Sequence, residues 1–142
     1  MVDYMLICAT MNTVKQHRGS NEMSNLSPKM HYAVNAYVDV CKKDYLMWTA
    51  RCAKAQGQDA LSDIEKRMVD EYNDGITFKV GKKYIKVMTE RSVHGFIVNT
   101  DNDADFKLGD ILKAASYNAP ARNFARGNAL RGIFNNMQWT GA

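Results

Sequence analysis

Proline is nearly absent from this chain, with two residues, Pro28 and Pro120, in 142. That excludes polyproline stalks and proline-rich linkers. Cysteine is scarce and odd in number, at Cys8, Cys41 and Cys52, with no CxxC pair. A disulfide scaffold is excluded, and reduced, buried thiols are expected. Cys41 and Cys52 fall in a helical pattern, where eleven residues span roughly 16 Å, beyond any disulfide. No run of 18 apolar residues occurs, so no membrane-spanning helix is expected. The early run 5–9 is too short for a signal core and follows no basic residue, so the expected compartment is the cytoplasm. The three histidines make no pair at metal-ligand spacing. Glycine-rich phosphate loops, zinc-protease helices and nucleophile elbows are missing too. The expectation is a protein with no catalytic residue, no metal and no cofactor.

What is present suits one ordinary domain. Apolar residues make up 46% and charged residues 24%. The charge is uneven. Residues 76–142 carry ten Lys and Arg against five Asp and Glu, while residues 1–75 carry nine against ten. The net +4 therefore belongs to the second half, and a polyanionic partner is the matching expectation.

Residues 1–27 read as a flexible or loosely attached segment, with Met23 and Met30 as alternative starts. Residues 28–142 read as a single α+β domain, with helices over 28–74 and a basic, β-rich block over 76–142. Ser27-Pro28 opens the first helix as cap and first residue. Met30, Val34, Tyr37, Cys41, Tyr45, Trp48, Cys52 and Ala55 then form one apolar stripe at helical spacing. Such a stripe packs against a sheet or against the same helix of a second copy, so a homo-oligomer through residues 28–56 is one expectation. A second helix is predicted from Asp59 to Tyr72, with Leu61, Ile64, Met68 and Tyr72 inward. Ser62 and Glu65 stand at capping-box spacing within it.

After Gly75, short β-branched and aromatic runs alternate with Gly, Asn and Asp, which predicts three to five strands of an antiparallel meander up to Ala114. Asn118, Pro120 and Gly127 then predict a short helix. Its start, with Ser116 and Asn118, is a candidate anion site, and Arg122 and Arg126 would share one face. The expected architecture is thus a helical hairpin on a small meander, followed by a short helix. Residues 128–134 suggest a further helical turn, and 137–139 a last strand or a tail that docks Trp139.

The run 109–128, GDILKAASYNAPARNFARGN, resembles a motif of small accessory proteins of tailed bacteriophages. There a GD-(I/V)-(L/Y)-K-A-(A/S)-(S/G)-W-x-A-P-A-(R/K) segment follows a strand pair. Tyr117 stands here where that pattern has tryptophan, which keeps the aromatic. The resemblance covers residues 76–142. It implies a phage origin, an accessory role and the cytoplasm of an infected cell. It transfers no site residue, because no activity is established for the group.

Among candidate groups, His94 is the one histidine placed for acid–base work, with 101–105 near it in sequence to orient it. Cys41 has no evident activating histidine, and Asp103 with Asp105 reads as a turn. Binding has more support. Lys82, Tyr84 and Lys86 alternate along one run and would share a face, offering cations for phosphates and a ring for a base. Lys79, Lys83, Arg91, Lys107, Lys113, Arg122 and Arg126 extend the track. The expected function is non-enzymatic binding of nucleic acid, single-stranded or RNA rather than a specific duplex sequence. The alternative is inhibition of a host protein or defence system, by surface binding or by sequestering a nucleotide signal. The competing explanation for the lysines is protection of a sheet edge from aggregation.

Overall fold

A computed structural model describes residues 26–142 apart from Arg91. The expectations for 1–25 lie outside the described residues. The architecture is α+β. Among the described residues, two helices, α1 (Pro28–Ala55) and α2 (Asp63–Gly75), precede six strands. These are β1 (Thr77–Val80), β2 (Tyr84–Met88), β3 (Val93–Val98), β4 (Ile111–Lys113), β5 (Gly127–Asn128) and β6 (Ile133–Phe134). The first four make an antiparallel sheet in the order β1-β2-β3-β4, and the last two make a small separate hairpin.

The predicted cap of α1 is present. Ser27 accepts from the Met30 amide at 3.2 Å, and Pro28 takes the first turn. Met30, Ala33, Val34, Tyr37 and Cys41 then pack with Ile85, Val87, Ile97 and Ile111 in one core cluster. The stripe does not run straight to Ala55. Beyond Tyr45 the buried positions are Thr49 and Ala53, while Trp48 and Ala55 are exposed. At 3.6 residues per turn a long helix rotates its inward face, and the Thr49 hydroxyl satisfies itself on the Tyr45 carbonyl at 2.9 Å.

α2 starts later than predicted. The capping box of Ser62 and Glu65 wins over Asp59, with both reciprocal bonds made, at 3.0 and 3.2 Å. The inward face also differs from the predicted one. Val69 is buried, whereas Ile64 is 68% exposed and Met68 is exposed. Tyr72 stacks flat on Tyr45, with ring centroids 4.3 Å apart.

The short helix predicted from Asn118 does not form. Its backbone amides are needed elsewhere. On β4 and just before it, the carbonyls of Gly109, Ile111 and Lys113 point away from β3, and they accept from Ala129 at 2.8 Å, Arg126 at 2.7 Å and Ala121 at 2.7 Å. Residues 114–126 therefore run as a loop along the outer edge of β4. Its turn closes where Ala115 and Ser116 both donate to the Ala119 carbonyl at 3.0 Å. The turn predicted as helical at 128–134 is instead the β5–β6 hairpin. Phe106 and Lys107 are irregular, and Leu108 opens the turn that leads to β4.

The C-terminal tail docks. The Trp139 amide donates to Asp44 at 2.7 Å, and its carbonyl accepts from Tyr72 at 2.7 Å. Its ring lies among Tyr45, Trp48 and Tyr72.

Candidate functional site

Two places gather chemistry-bearing side chains. One is buried between α1 and the sheet. The other is the outer side of the sheet with the 114–126 loop.

The buried place is built by a β-bulge. Val87 faces Gly95 and Met88 faces Val93, so His94 is the extra residue on β3. A bulge re-aims a side chain, and here it turns His94 inward, to 2% exposure. His94 Nε2 lies 2.5 Å from the Gln138 carbonyl, which can only accept. Nε2 therefore carries the proton. Nδ1 accepts from the Tyr37 hydroxyl at 2.6 Å. Cys41 Sγ lies beside the ring, 3.4 Å from Nε2 and 3.9 Å from Nδ1.

A histidine does lie beside Cys41, brought there across 53 positions of sequence. The pair does not make a nucleophile. Both ring nitrogens are already committed, so neither can take the thiol proton. Burial pushes the Cys41 thiol up to about 12, helped by the nearby Asp44 charge. Burial also raises Tyr37 far above its usual range and lowers His94. The trio is neutral and structural. His94 is oriented by Tyr37 and Gln138 and not by the 101–105 acids.

The outer side holds most of the predicted binding residues, rearranged. Lys79 on β1 stands directly opposite Lys86 on β2, so both face outward. Lys82 and Lys83 lie in the turn before β2, both exposed, so Lys82 does not share a strand face with Tyr84. Lys113 pairs with Gly95, which places it on the opposite face from Leu112 and Lys86. Arg91 lies outside the described residues.

Tyr84 is half-buried against Phe96, with ring centroids 5.8 Å apart, and its hydroxyl accepts from Arg122 at 2.6 Å. Arg122 also grips Asp103 with two bonds, at 2.8 and 2.9 Å, and reaches Asp105 at 3.4 Å. The Asp103 side chain is only 3% exposed and further accepts from the Asp105 and Phe106 amides, at 2.9 and 3.1 Å. The Arg122 bonds come first among the causes that hold the Asp103 carboxyl far below its usual range; Asp103 in turn raises Arg122. Arg122 is thus occupied internally. It pins the acidic 99–109 turn over a second core cluster of Phe96, Val98, Phe106 and Leu112.

On this side two further rings, neither a predicted ring site, are offered to solvent. Tyr117 is 60% exposed, and Lys86 Nζ sits 4.1 Å from its centroid. Lys86 also donates to Asn118 Oδ1 at 3.3 Å. Phe124 is 53% exposed, with the Arg126 guanidinium 4.0 Å from its centroid. Both rings belong to the 114–126 loop. Their signal was an aromatic beside a turn residue in a segment read as helical. No helix begins at Asn118, so the amide cluster expected to bind an anion there with Ser116 is not formed. Among the described residues no cluster of metal-ligating side chains occurs, and no helix is long and apolar enough to cross a membrane.

A family model described as a family of unknown function, DUF7717, matches residues 5–142, so the chain belongs to that family. No curated protein and no solved structure matches the chain.

Proposed function

We propose that this member of a family of unknown function binds single-stranded nucleic acid, without chemistry of its own. The interface is the outer side of the sheet and the 114–126 loop. The observation that carries the reading is the pair of exposed rings with cations on them, Lys86 at Tyr117 and Arg126 at Phe124. Bases stack on such rings regardless of sequence, and neighbouring cations meet the phosphates. Lys79, Lys82 and Lys83 lie on or beside the same side of the sheet and add charge. The motif that resembles phage accessory proteins folds into the loop bearing both rings, which fits an accessory role in an infected cell.

The test is fluorescence anisotropy of labelled oligo-dT and oligo-U at two salt concentrations. If four lysine–phosphate contacts form, affinity drops about 50-fold between 50 and 200 mM salt. Tyr117→Ala and Phe124→Ala each weaken binding about tenfold. Affinity that ignores both salt and the two rings would sink the reading.

A second reading, inhibition of a host protein by surface contact, draws on the apolar side chains left outside. Ile64 and Met68 share a face of α2, and Leu46 and Met47 are exposed on α1. A stoichiometric host protein that copurifies after nuclease and high salt, and is lost in Ile64→Glu, would favour it. The stripe of α1 from Met30 to Tyr45 is buried within this chain's own core, so an oligomer through it would need that core opened.

A further inference from the structure

The two edges of the four-stranded sheet are treated differently. The β4 edge is closed by the chain itself, through the amides of Ala121, Arg126 and Ala129. The β1 edge is not closed by any described residue. The hydrogen-bond phase shows which groups it offers. The Lys83 carbonyl on the β2–β3 side accepts from Asn99 at 2.8 Å, and the Tyr84 carbonyl on the other side accepts from Gly81 at 2.8 Å. Along antiparallel strands these directions alternate. Thr77, Lys79 and Gly81 thus pair with β2, while the N–H and C=O of Phe78 and Val80 point outward.

We infer that the β1 edge, open among the described residues, takes an extended acidic peptide as a fifth strand, pairing with the outward backbone of Phe78 and Val80 and placing carboxylates beside Lys79. Strand addition to an open edge uses main-chain bonds for affinity and alternate side chains for selection. The side chains here define the alternation. Lys79 faces outward beside Lys86, and the exposed Lys82 and Lys83 lie at the end of the strand. Two like charges directly opposite each other disfavour the bare edge, and a carboxylate beside Lys79 relieves them. Phe78 and Val80 lie on the core side and are only half-buried, so apolar residues at the intervening peptide positions would extend that cluster. The match is a strand alternating acidic and apolar residues.

A second copy of this chain fits less well. Pairing two β1 strands about a two-fold, Phe78 against Val80, sets Lys79 opposite Lys79, which is repulsive. Lys79, Lys82 and Lys83 serve both this site and the proposed nucleic-acid interface, but the outward backbone of Phe78 and Val80 belongs to this site alone, so protection of those two amides distinguishes the two readings.

The test titrates the full chain with a pentapeptide alternating Glu and Val, and with its Lys-Val counterpart, read by amide exchange. The Glu-Val peptide should slow exchange at Phe78 and Val80 by at least tenfold and leave Lys79, already bonded to β2, unchanged. Lys79→Glu should weaken binding about fivefold, since one exposed charge contact is modest. Val80→Pro removes one of the two outward N–H groups without breaking a bond to β2, so it should weaken capture well beyond Val80→Ala, which loses similar packing but keeps the N–H. Three outcomes would overturn the inference: equal binding of the Lys-Val peptide, no protection at Phe78 and Val80, or protection of both amides already in the free protein. The last would mean that the edge is covered by this chain or by a second copy.

Discussion

The Tyr37 hydroxyl donates to His94 Nδ1 at 2.6 Å, joining α1 to β3 across 57 positions of sequence. The opposite ring nitrogen donates to Gln138 at 2.5 Å, and the His94 carbonyl accepts from Ala142 at 3.2 Å. One bulged residue therefore ties the first helix, the sheet and the C-terminal tail together.

His94→Leu removes both ring bonds and leaves the Tyr37 hydroxyl and the Gln138 carbonyl unpaired. A loss of about 3 kcal/mol is expected in urea unfolding. Tyr37→Phe, which strands only Nδ1, should cost less, about 1–2 kcal/mol.

The same trio sets a pH window. Burial lowers the folded His94 pKa, so below about 6.5 the unfolded chain binds a proton that the folded chain refuses. Stability falls as pH drops through that range. Burial raises Cys41 to about 12 and raises Tyr37 as well. The unfolded thiol ionises from about pH 8.5, so stability falls again as pH rises above it. Melting temperature against pH should peak between these limits, and His94→Gln should flatten the acid arm alone.

Gly95→Ala tests the fit around the trio. A methyl group at Gly95 would collide with the Tyr37 hydroxyl and come within 3.1 Å of Ala142 Cβ and 3.2 Å of the Leu112 carbonyl. A destabilisation of about 2 kcal/mol is expected, with the tyrosine displaced from His94. Unchanged unfolding in urea would show that α1 can shift to accommodate it.

Thiol labelling separates Cys41 from Cys52. Cys41 is buried and held protonated, whereas Cys52 is half-exposed. Peptide mapping after alkylation at neutral pH should find Cys52 modified in minutes and Cys41 modified only on unfolding.

The Arg122–Asp103 clamp predicts a second acid transition. Its bonds hold the Asp103 pKa down, so their contribution is full above about pH 3.9 and is lost as pH falls through the lower folded value. Asp103→Asn should speed amide exchange in residues 99–109 at neutral pH, and Arg122→Ala should do the same.

Much of the frame was legible in the chain itself. Ser27-Pro28 fixed where α1 starts, the Met30-to-Tyr45 spacing fixed its inward face, and alternation with Gly and Asn breaks marked the strands. These are local properties, set by backbone capping and by residue periodicity. Local signals failed where long-range hydrogen bonds outbid them. Asn118 and Pro120 read as a helix start, yet the amides of 121–129 satisfy carbonyls on β4 that would otherwise have no partner. Only the tertiary structure placed Cys41 against His94, turned Arg122 from a free cation into a clamp on Asp103, and lifted Tyr117 and Phe124 to the surface. Composition determined that the second half is basic. Packing decided which of its charges stay available, because a cation already bonded to its own carboxylate has little left to offer a phosphate.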